Sequence, residues 1–442
     1  MTGLLARGAV WLGAYLAIVL FPLCIALALG LAKGTPTGLS IGYAMATGVL
    51  ALTLMTTEFG LVARVKSASR PFGSDALSYF HRLMGCAALA FLTVHVVVLL
   101  ASGLPLASLS PLAGHAGAGL GATALWLTAL LVTVSLWRRR LRLRYEWWQA
   151  THSLLAVLAV LTSLGHALAA TSARGDQLLG AILAAYAALF IAMLLSYRLL
   201  RPIWLHRRPW ELVTNRDEGA STRTLVLRPL GHQGLRFEPG QFAWLSTGRN
   251  PLGFGQHPVS LSGSAEPAFR PLEFSIKALG DWSSSEVPRL APGARVYVDG
   301  PYGAFSPDRV PAQTFVLIAG GVGIAPMRSI LLTLRDRDDR RPALLIHAAH
   351  DPGRAIFRQE LASLARNMAL TVVPVYEAPP PDWRGERGFV TAELLRRHLP
   401  ADISRAQFFV CGPPAMMDAV EQALRGLGVR PAQLHSERFD LV

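Results

Sequence analysis

Six apolar stretches dominate the first 202 residues, each near the about 20 residues that a helix needs to cross a bilayer. They lie at about 8–32, 40–63, 78–101, 118–137, 147–171 and 178–198. The first is too long for the apolar core of a signal peptide, and five more follow it, so it is expected to remain as a membrane helix. The charge pattern divides the chain at the same place. Residues 1–202 carry 14 Lys+Arg against 4 Asp+Glu, while residues 203–442 carry 28 against 24. The whole chain has a formal net charge of +14, yet only 16% of its residues are charged and 52% are hydrophobic. That composition excludes a disordered chain, and the location of the excess argues against nucleic acid as a partner.

The basic residues between the stretches give an orientation. Arg7, then Arg64, Lys66, Arg70 and Arg82, then Arg138, Arg139, Arg140, Arg142 and Arg144, then Arg198 and Arg201 flank one side, 12 residues in all. Only Lys33 and Arg174 flank the other. The positive-inside rule therefore predicts a multi-pass protein of the plasma (inner) membrane with both ends, and the polar half, in the cytoplasm.

Four of the 12 histidines fall within these stretches: His81 and His95 in the third, His152 and His166 in the fifth. Each pair is 14 residues apart, which at about 100° per residue falls about 40° short of four turns and spans about 21 Å. Both histidines of a pair share one helix face. The third and fifth helices run in the same direction, so two stacked His–His pairs are expected, His81 with His152 and His95 with His166. Paired imidazoles at two depths read as axial ligands of two b-type haems in the bundle core. Polar residues that pack helices together are the alternative. No CxxCH occurs, and the three cysteines (Cys24, Cys86, Cys411) are too scattered for a zinc or disulfide framework. Glu58 is an acid well inside a stretch, and the sequence leaves it open between a salt bridge and a functional role. His115, in a loop on the far side, fits neither pair.

Past residue 203 the pattern becomes short β-rich runs separated by Gly/Pro turns, which predicts a small antiparallel barrel. From about 309 strands alternate with helices, which predicts a doubly wound parallel sheet. There "TFVLIAGGVGIAPMRSILLTL" reads as strand, glycine turn and helix. Gly321, Gly323 and Pro326 form GxGxxP, a turn whose glycines let backbone N–H groups approach a pyrophosphate. A later "FFVCGPPAMMDAV" repeats the strand–turn–helix order.

These motifs, in this order, resemble the ferredoxin–NADP reductase superfamily over the C-terminal 240 residues. With the two His pairs, the whole chain resembles the ferric reductase / NADPH oxidase family. The resemblance implies that "HPVS" (His257, Pro258, Val259, Ser260) is the first flavin motif, with His257 near the FAD diphosphate or ribityl chain and Ser260 near flavin N5. Val259 departs from the family, which usually has a stacking aromatic there. It implies that Ile276, Lys277, Gly280 and Ser283 of "SIKALGDWS" hold the FAD diphosphate, and that Gly320, Gly321, Gly323 and Pro326 hold NAD(P)H. It implies that Cys411, Gly412 and Pro413 of "CGPP" bring a thiol near the nicotinamide, and that Phe439 closes on the flavin. Ser260, Cys411 and Phe439 are the implied catalytic residues.

The expected organisation is a six-helix transmembrane haem domain (1–202), an antiparallel β-barrel FAD domain (203–308) and an α/β NAD(P) domain (309–442). The expected function is electron transfer from cytoplasmic NADPH or NADH through FAD and two haems to a ferric chelate or O2 outside. Arg354 is a candidate partner for a 2′-phosphate, or else plain surface charge. Two other readings stand beside this one: a redox subunit that serves a periplasmic partner or quinone, and a flavoprotein reductase with a structural membrane anchor.

Overall fold

A computed structural model describes residues 2–33, 39–62, 74–112, 116–138, 140–143, 145–248, 255–266 and 271–438. The chain divides into two compact units, residues 1–72 with 76–201, and residues 202–442 with 73–75.

The first unit is helical. Its long helices are α1 (Thr2–Lys33), α2 (Leu39–Val62), α3 (Ser74–Ala101), α4 (Ala116–Trp137), α5 (Tyr145–Ala173) and α6 (Gln177–Leu195). All six are long and apolar enough to cross a membrane. Their core gathers Val19, Leu52, Met55, Leu164, Leu183 and Phe190. The bundle is also apolar outside: Phe21, Val97, Trp126, Leu154 and Leu189 are all exposed. Such a surface is stable against lipid and not against water. Inside, hydroxyls turn back onto helix carbonyls, and Thr53 Oγ1 donates across the bundle to Val19 O at 3.0 Å.

A short helix, α7 (Arg201–His206), leads into the second unit, which holds two sheets. The first comprises β1 (Trp210–Gly219), β2 (Thr222–Pro229), β3 (Phe242–Thr247), β4 (His257–Ser260), β5 (Leu272–Lys277) and β6 (Arg295–Tyr302). Its order is β4-β3-β6-β1-β2-β5, antiparallel throughout. The expected closed barrel is corrected here: among the described residues β4 and β5 meet only through a single bridge, Leu261 to Phe274. Pro258 explains the short edge, because it removes a donor from a four-residue strand.

The second sheet is parallel, in the order β10-β9-β8-β7-β11-β12. It comprises β7 (Thr314–Gly320), β8 (Ala343–Ala349), β9 (Leu370–Tyr376), β10 (Glu386–Arg387), β11 (Ala406–Cys411) and β12 (Leu434–Glu437). Its helices are α8 (Ile324–Asp336), α9 (Arg358–Asn367), α10 (Ala392–His398) and α11 (Pro414–Gly426). The connections leave β7 toward β8 on one side and return to β11 on the other, so the switch point lies between β7 and β11.

Helix α8 is buried along Ile324–Leu334 because both sheets pack on it. Arg328 on α8 donates to Glu273 at 2.8 Å and to Ser262 O at 2.9 Å on the antiparallel side. The same guanidinium forks onto Glu360 of α9 at 2.6 and 2.9 Å. A buried cation is tolerable only when its donors are satisfied in this way.

His347 sits in β8 at 3% exposure with no partner for Nε2. Burial pushes its imidazole down from 6.5 to about 4. A depressed histidine binds its proton more readily in the unfolded chain, so its contribution to stability is complete above pH 6.5 and is lost as pH falls toward 4. His347→Leu is expected to flatten that acid slope, measured as unfolding midpoints of the second unit's fluorescence between pH 7 and 4.5. An unchanged slope would place the acid sensitivity elsewhere, first at His435, which burial also pushes down to about 4.

Candidate functional site

The four intramembrane histidines meet as two pairs. The His81 and His152 ring centres are 6.2 Å apart with planes at 69°, and the His95 and His166 centres are 6.3 Å apart with planes at 74°. A metal ion bonded at about 2 Å to two imidazole nitrogens, each about 1.1 Å from its ring centre, sets the centres about 6.2 Å apart. A direct hydrogen bond or a stacked contact between the rings would bring them closer.

Each ring is oriented through Nδ1. His95 donates to Ala44 O at 2.7 Å, and His166 donates to Gly117 O at 2.7 Å. His152 Nδ1 lies 2.9 Å from Ser135 Oγ, whose own hydrogen goes to Leu131 O at 2.7 Å. The serine oxygen is therefore the acceptor. His81 Nδ1 faces the Glu58 carboxylate. For His95, His152 and His166 the acceptor fixes the proton on Nδ1 and leaves the Nε2 lone pair for a ligand bond, the arrangement that a metal-bound histidine requires, whereas His81 Nδ1 faces its carboxylate as an ion-pair contact.

Two glycines make room for the second pair. A Cβ on Gly48 would lie 2.8 Å from His95 Nδ1, and one on Gly121 would lie 2.8 Å from His166 Nδ1. In each case the accepting carbonyl belongs to the residue four positions earlier, Ala44 and Gly117. The imidazole thus lies across a helix at a glycine and reaches one turn back. A cavity of about 280 Å³ runs along this pair, lined by His95, His166, Gly48, Gly121, Ala122 and Arg174 among others. The residues fit a flat, largely apolar prosthetic group held by two neutral imidazoles. Gly48, Gly121 and three of the Nδ1 partners, Ala44 O, Gly117 O and Ser135, were not singled out from sequence, whereas Glu58 was. A glycine facing a histidine level was the only available signal, since carbonyl acceptors carry none.

In the second unit, strand register gathers the other candidates. Ser260 pairs with Phe242, and Phe242 pairs with Tyr302. Next to Tyr302, Gly303 has φ +95°, and a Cβ there would lie 2.8 Å from Glu437 Oε1. Glu437 in turn pairs with Cys411. A continuous set of neighbours thus links Ser260 to Cys411 through Phe242, Tyr302, Gly303 and Glu437, the last at 4% exposure. Sequence reading passed over Glu437 in favour of Phe439, which lies outside the described residues, as does His115.

The flavin-motif residues are arranged less uniformly. His257 stacks on Trp282 at 4.1 Å, with planes at 10°. Pro258 pairs with Trp244, while Val259 packs into the sheet core. Ile276 lies in the same core. The Ser283 hydroxyl accepts from Leu279 N at 3.0 Å and Gly280 N at 2.9 Å, so it closes its own turn. Lys277 extends toward the glycine turn: its Nζ lies 3.8 Å from where a Gly321 Cβ would be.

At the switch point the two glycine turns interlock. A Cβ on Gly323 would lie 2.2 Å from Cys411 O, and one on Gly320 would strike Met416 Sδ and Pro413 Cδ at 2.5 and 2.9 Å. A Cβ on Gly412 would lie 3.0 Å from Gly320 N. Pro326 sits in the first turn of α8, where no N–H is needed. Arg354 is not a free cation, because its Nε lies 3.5 Å from Asp351. Gly323→Ala pushes a methyl into backbone. It is expected to cost about 1–3 kcal/mol, seen as a lower melting temperature of the second unit. Unchanged melting would show that the turn yields freely.

Two family models match this chain. "Ferric reductase like transmembrane component" covers residues 47–163, and "Oxidoreductase NAD-binding domain" covers 317–422. NADH-cytochrome b5 reductase 1 of Debaryomyces hansenii is 33% identical over 34% of this chain and 54% of its own length. The flavohemoprotein of Bacillus subtilis is 28% identical over 53% of this chain and 60% of its own. The chain thus spans about half the length of the curated relatives it matches. Among solved structures, the flavohem-like FAD/NAD binding domain of nitric oxide dioxygenase from Vibrio cholerae is 26% identical, with a TM-score of 0.45, over 52% of this chain and 98% of that one. The ferric reductase-like match spans His81, His95 and His152, and the NAD-binding match spans both interlocked glycine turns. The chain accordingly has the architecture of the ferric reductase / NADPH oxidase family, a ferric reductase-like membrane component followed by a dinucleotide-binding reductase module.

Proposed function

We propose that this protein is a membrane oxidoreductase that passes electrons from NAD(P)H on the cytoplasmic side to an acceptor on the far side, a ferric chelate or O2, with FAD and two b-type haems as resident cofactors. One observation carries the reading: two histidine pairs inside an apolar bundle, each at metal-bridging spacing, with the Nδ1 protons of His95, His152 and His166 already committed. The matched NAD-binding domain supports the donor side. The arginine-rich flanks support the orientation, with both ends and the second unit in the cytoplasm of a bacterial-type inner membrane.

When bound, flavin accepts a hydride and releases single electrons, and haem iron carries one electron at a time. The chain's own groups bind and orient. Gly320, Gly321 and Gly323 admit a pyrophosphate to backbone N–H groups at the start of α8. Ser260, Cys411 and Glu437 line the place where nicotinamide and flavin rings would meet, with Gly412 and Pro413 shaping the thiol's turn. His257, Lys277 and Gly280 border the flavin site. His81 with His152, and His95 with His166, would hold the two haems, inner and outer. Held by these histidines, haem would supply one-electron transfer to the acceptor, and the cavity lined by His95 and His166 would house the outer one.

The purified full-length protein is expected to show b-type haem and flavin in a reduced-minus-oxidised spectrum. His95→Ala should remove one haem and abolish reduction of an outside acceptor while sparing flavin reduction by NAD(P)H. Absence of a Soret band, or full transmembrane transfer in His95→Ala, would sink the reading. Gly121→Leu should behave like His95→Ala, because its side chain occupies the place of the His166 ring. Retention of both haems in that variant would show that the bundle opens to accommodate it.

A further inference from the structure

The four Nδ1 acceptors are not equivalent. Both histidines of the His95/His166 pair donate to neutral backbone carbonyls, Ala44 O and Gly117 O, each at 2.7 Å. In the other pair, His152 donates to a neutral serine oxygen, but His81 faces a carboxylate. That carboxylate, Glu58, is 7% exposed and lies within a membrane-spanning stretch of α2. A charge in hydrocarbon is expensive, so its retention at the ring of one histidine out of four calls for a role.

We propose that Glu58 is a tuning residue that lowers the reduction potential of the inner haem site below that of the outer one, so that electrons run downhill toward the far side. This inference rests on the haem reading above. A carboxylate set against Nδ1 draws on that proton more strongly than a neutral carbonyl does, and so increases electron donation from Nε2. In a low-dielectric interior it also favours the more positive, oxidised iron. Neutral carbonyls exert neither effect at the outer level. Each outward transfer moves one electron, oxidising iron(II) to iron(III) at the inner level and reducing iron(III) to iron(II) at the outer. No proton or further reactant is consumed.

The cations near each level do not cancel this asymmetry. Arg82 follows His81, but its side chain is exposed and its guanidinium lies over the Tyr79 ring at 5.4 Å. Arg138 lies over Trp148 at 5.0 Å, at the end of its helix. Arg82 is exposed, where solvent screens it, and Arg138 is half-buried but held off the His152 ring by Trp148 between them, whereas Glu58 lies directly against the ligand. At the other level Arg174 lines the cavity beside His95 and His166, but it is exposed and is screened in the same way.

The test is a redox titration of the full-length protein, followed by optical and low-temperature EPR spectra. Wild type should show two one-electron couples. Glu58→Gln should shift the lower couple upward by at least tenfold in its reduction equilibrium, about 59 mV, and leave the higher one in place. The EPR signal of one haem should move with it, and Glu58→Asp should restore the wild-type low potential. His95→Ala, which keeps only the inner site, should titrate at the lower potential, and this decides the matter if Glu58→Gln fails to retain its inner haem. Two bound haems with the lower couple unmoved in Glu58→Gln would overturn the inference and leave the haem reading intact. So would a lone inner haem at the higher potential. A protein that binds no haem would overturn both.

Discussion

An imidazole has two nitrogens, and within a bilayer core neither can be left to water. Three of the four rings meet that constraint in the same way, with Nδ1 giving its proton to the protein, and the fourth, His81, sets Nδ1 against the Glu58 carboxylate; each ring stands 6.2 or 6.3 Å from its partner's centre. Ring spacing, cavity and helix packing follow from it. His95 can reach Ala44 O only if nothing projects from the helix between them, which requires Gly48, and the same holds for His166, Gly117 O and Gly121. The carbonyls remain in their helices, since each oxygen has two lone pairs and can accept twice. A prosthetic group between the rings would complete a coordination geometry that the helices already hold.

The second unit depends on a different device, close backbone approach secured by buried charge. Gly320, Gly323 and Gly412 let the turns after β7 and β11 pack with no side chain between them. That leaves backbone N–H groups as the lining of the switch point, suited to an anion. Arg328 ties the helix that follows to the antiparallel sheet, through Glu273 and Ser262, and to α9 through Glu360. The two sheets are thereby joined by a satisfied network and not by the chain connection alone.

Much of this was legible in the sequence because it follows from periodicity. Six spans announce themselves by length, and the 14-residue spacing of His81 to His95 and of His152 to His166 requires each pair to share a helix face. The glycine turn at Gly320–Gly323 is legible because its residue types are forced. What escaped was whatever depends on partners distant in sequence. The antiparallel sheet stays open because Pro258 shortens β4, and strand counting does not register that. Backbone acceptors such as Ala44 O leave no trace in residue type. Glu437 looked like part of a tail motif until strand register brought it beside Gly303 and Cys411. Ser283 was expected to face a ligand, whereas its hydroxyl closes its own turn.

The basic excess of the chain and the single buried acid among these histidines belong to one electrostatic picture. The basic residues flank the apolar spans in sequence mostly on one side, the pattern that the positive-inside rule links to topology. Inside, the Nδ1 partners of the His95/His166 pair are helix carbonyls already committed to the backbone, which add orientation at little cost in charge. The Nδ1 partners of the His81/His152 pair are instead side chains, Ser135 and Glu58, and among the described residues no glycine faces those rings as Gly48 and Gly121 face the others. A carbonyl can only orient a ring, whereas a carboxylate orients it and changes its donor strength. If orientation were all that both levels required, one solution repeated on each helix would have sufficed. The two levels differ in the one property, charge at Nδ1, that neither helix packing nor membrane insertion favours, and a directional electron carrier is where such a difference has a use.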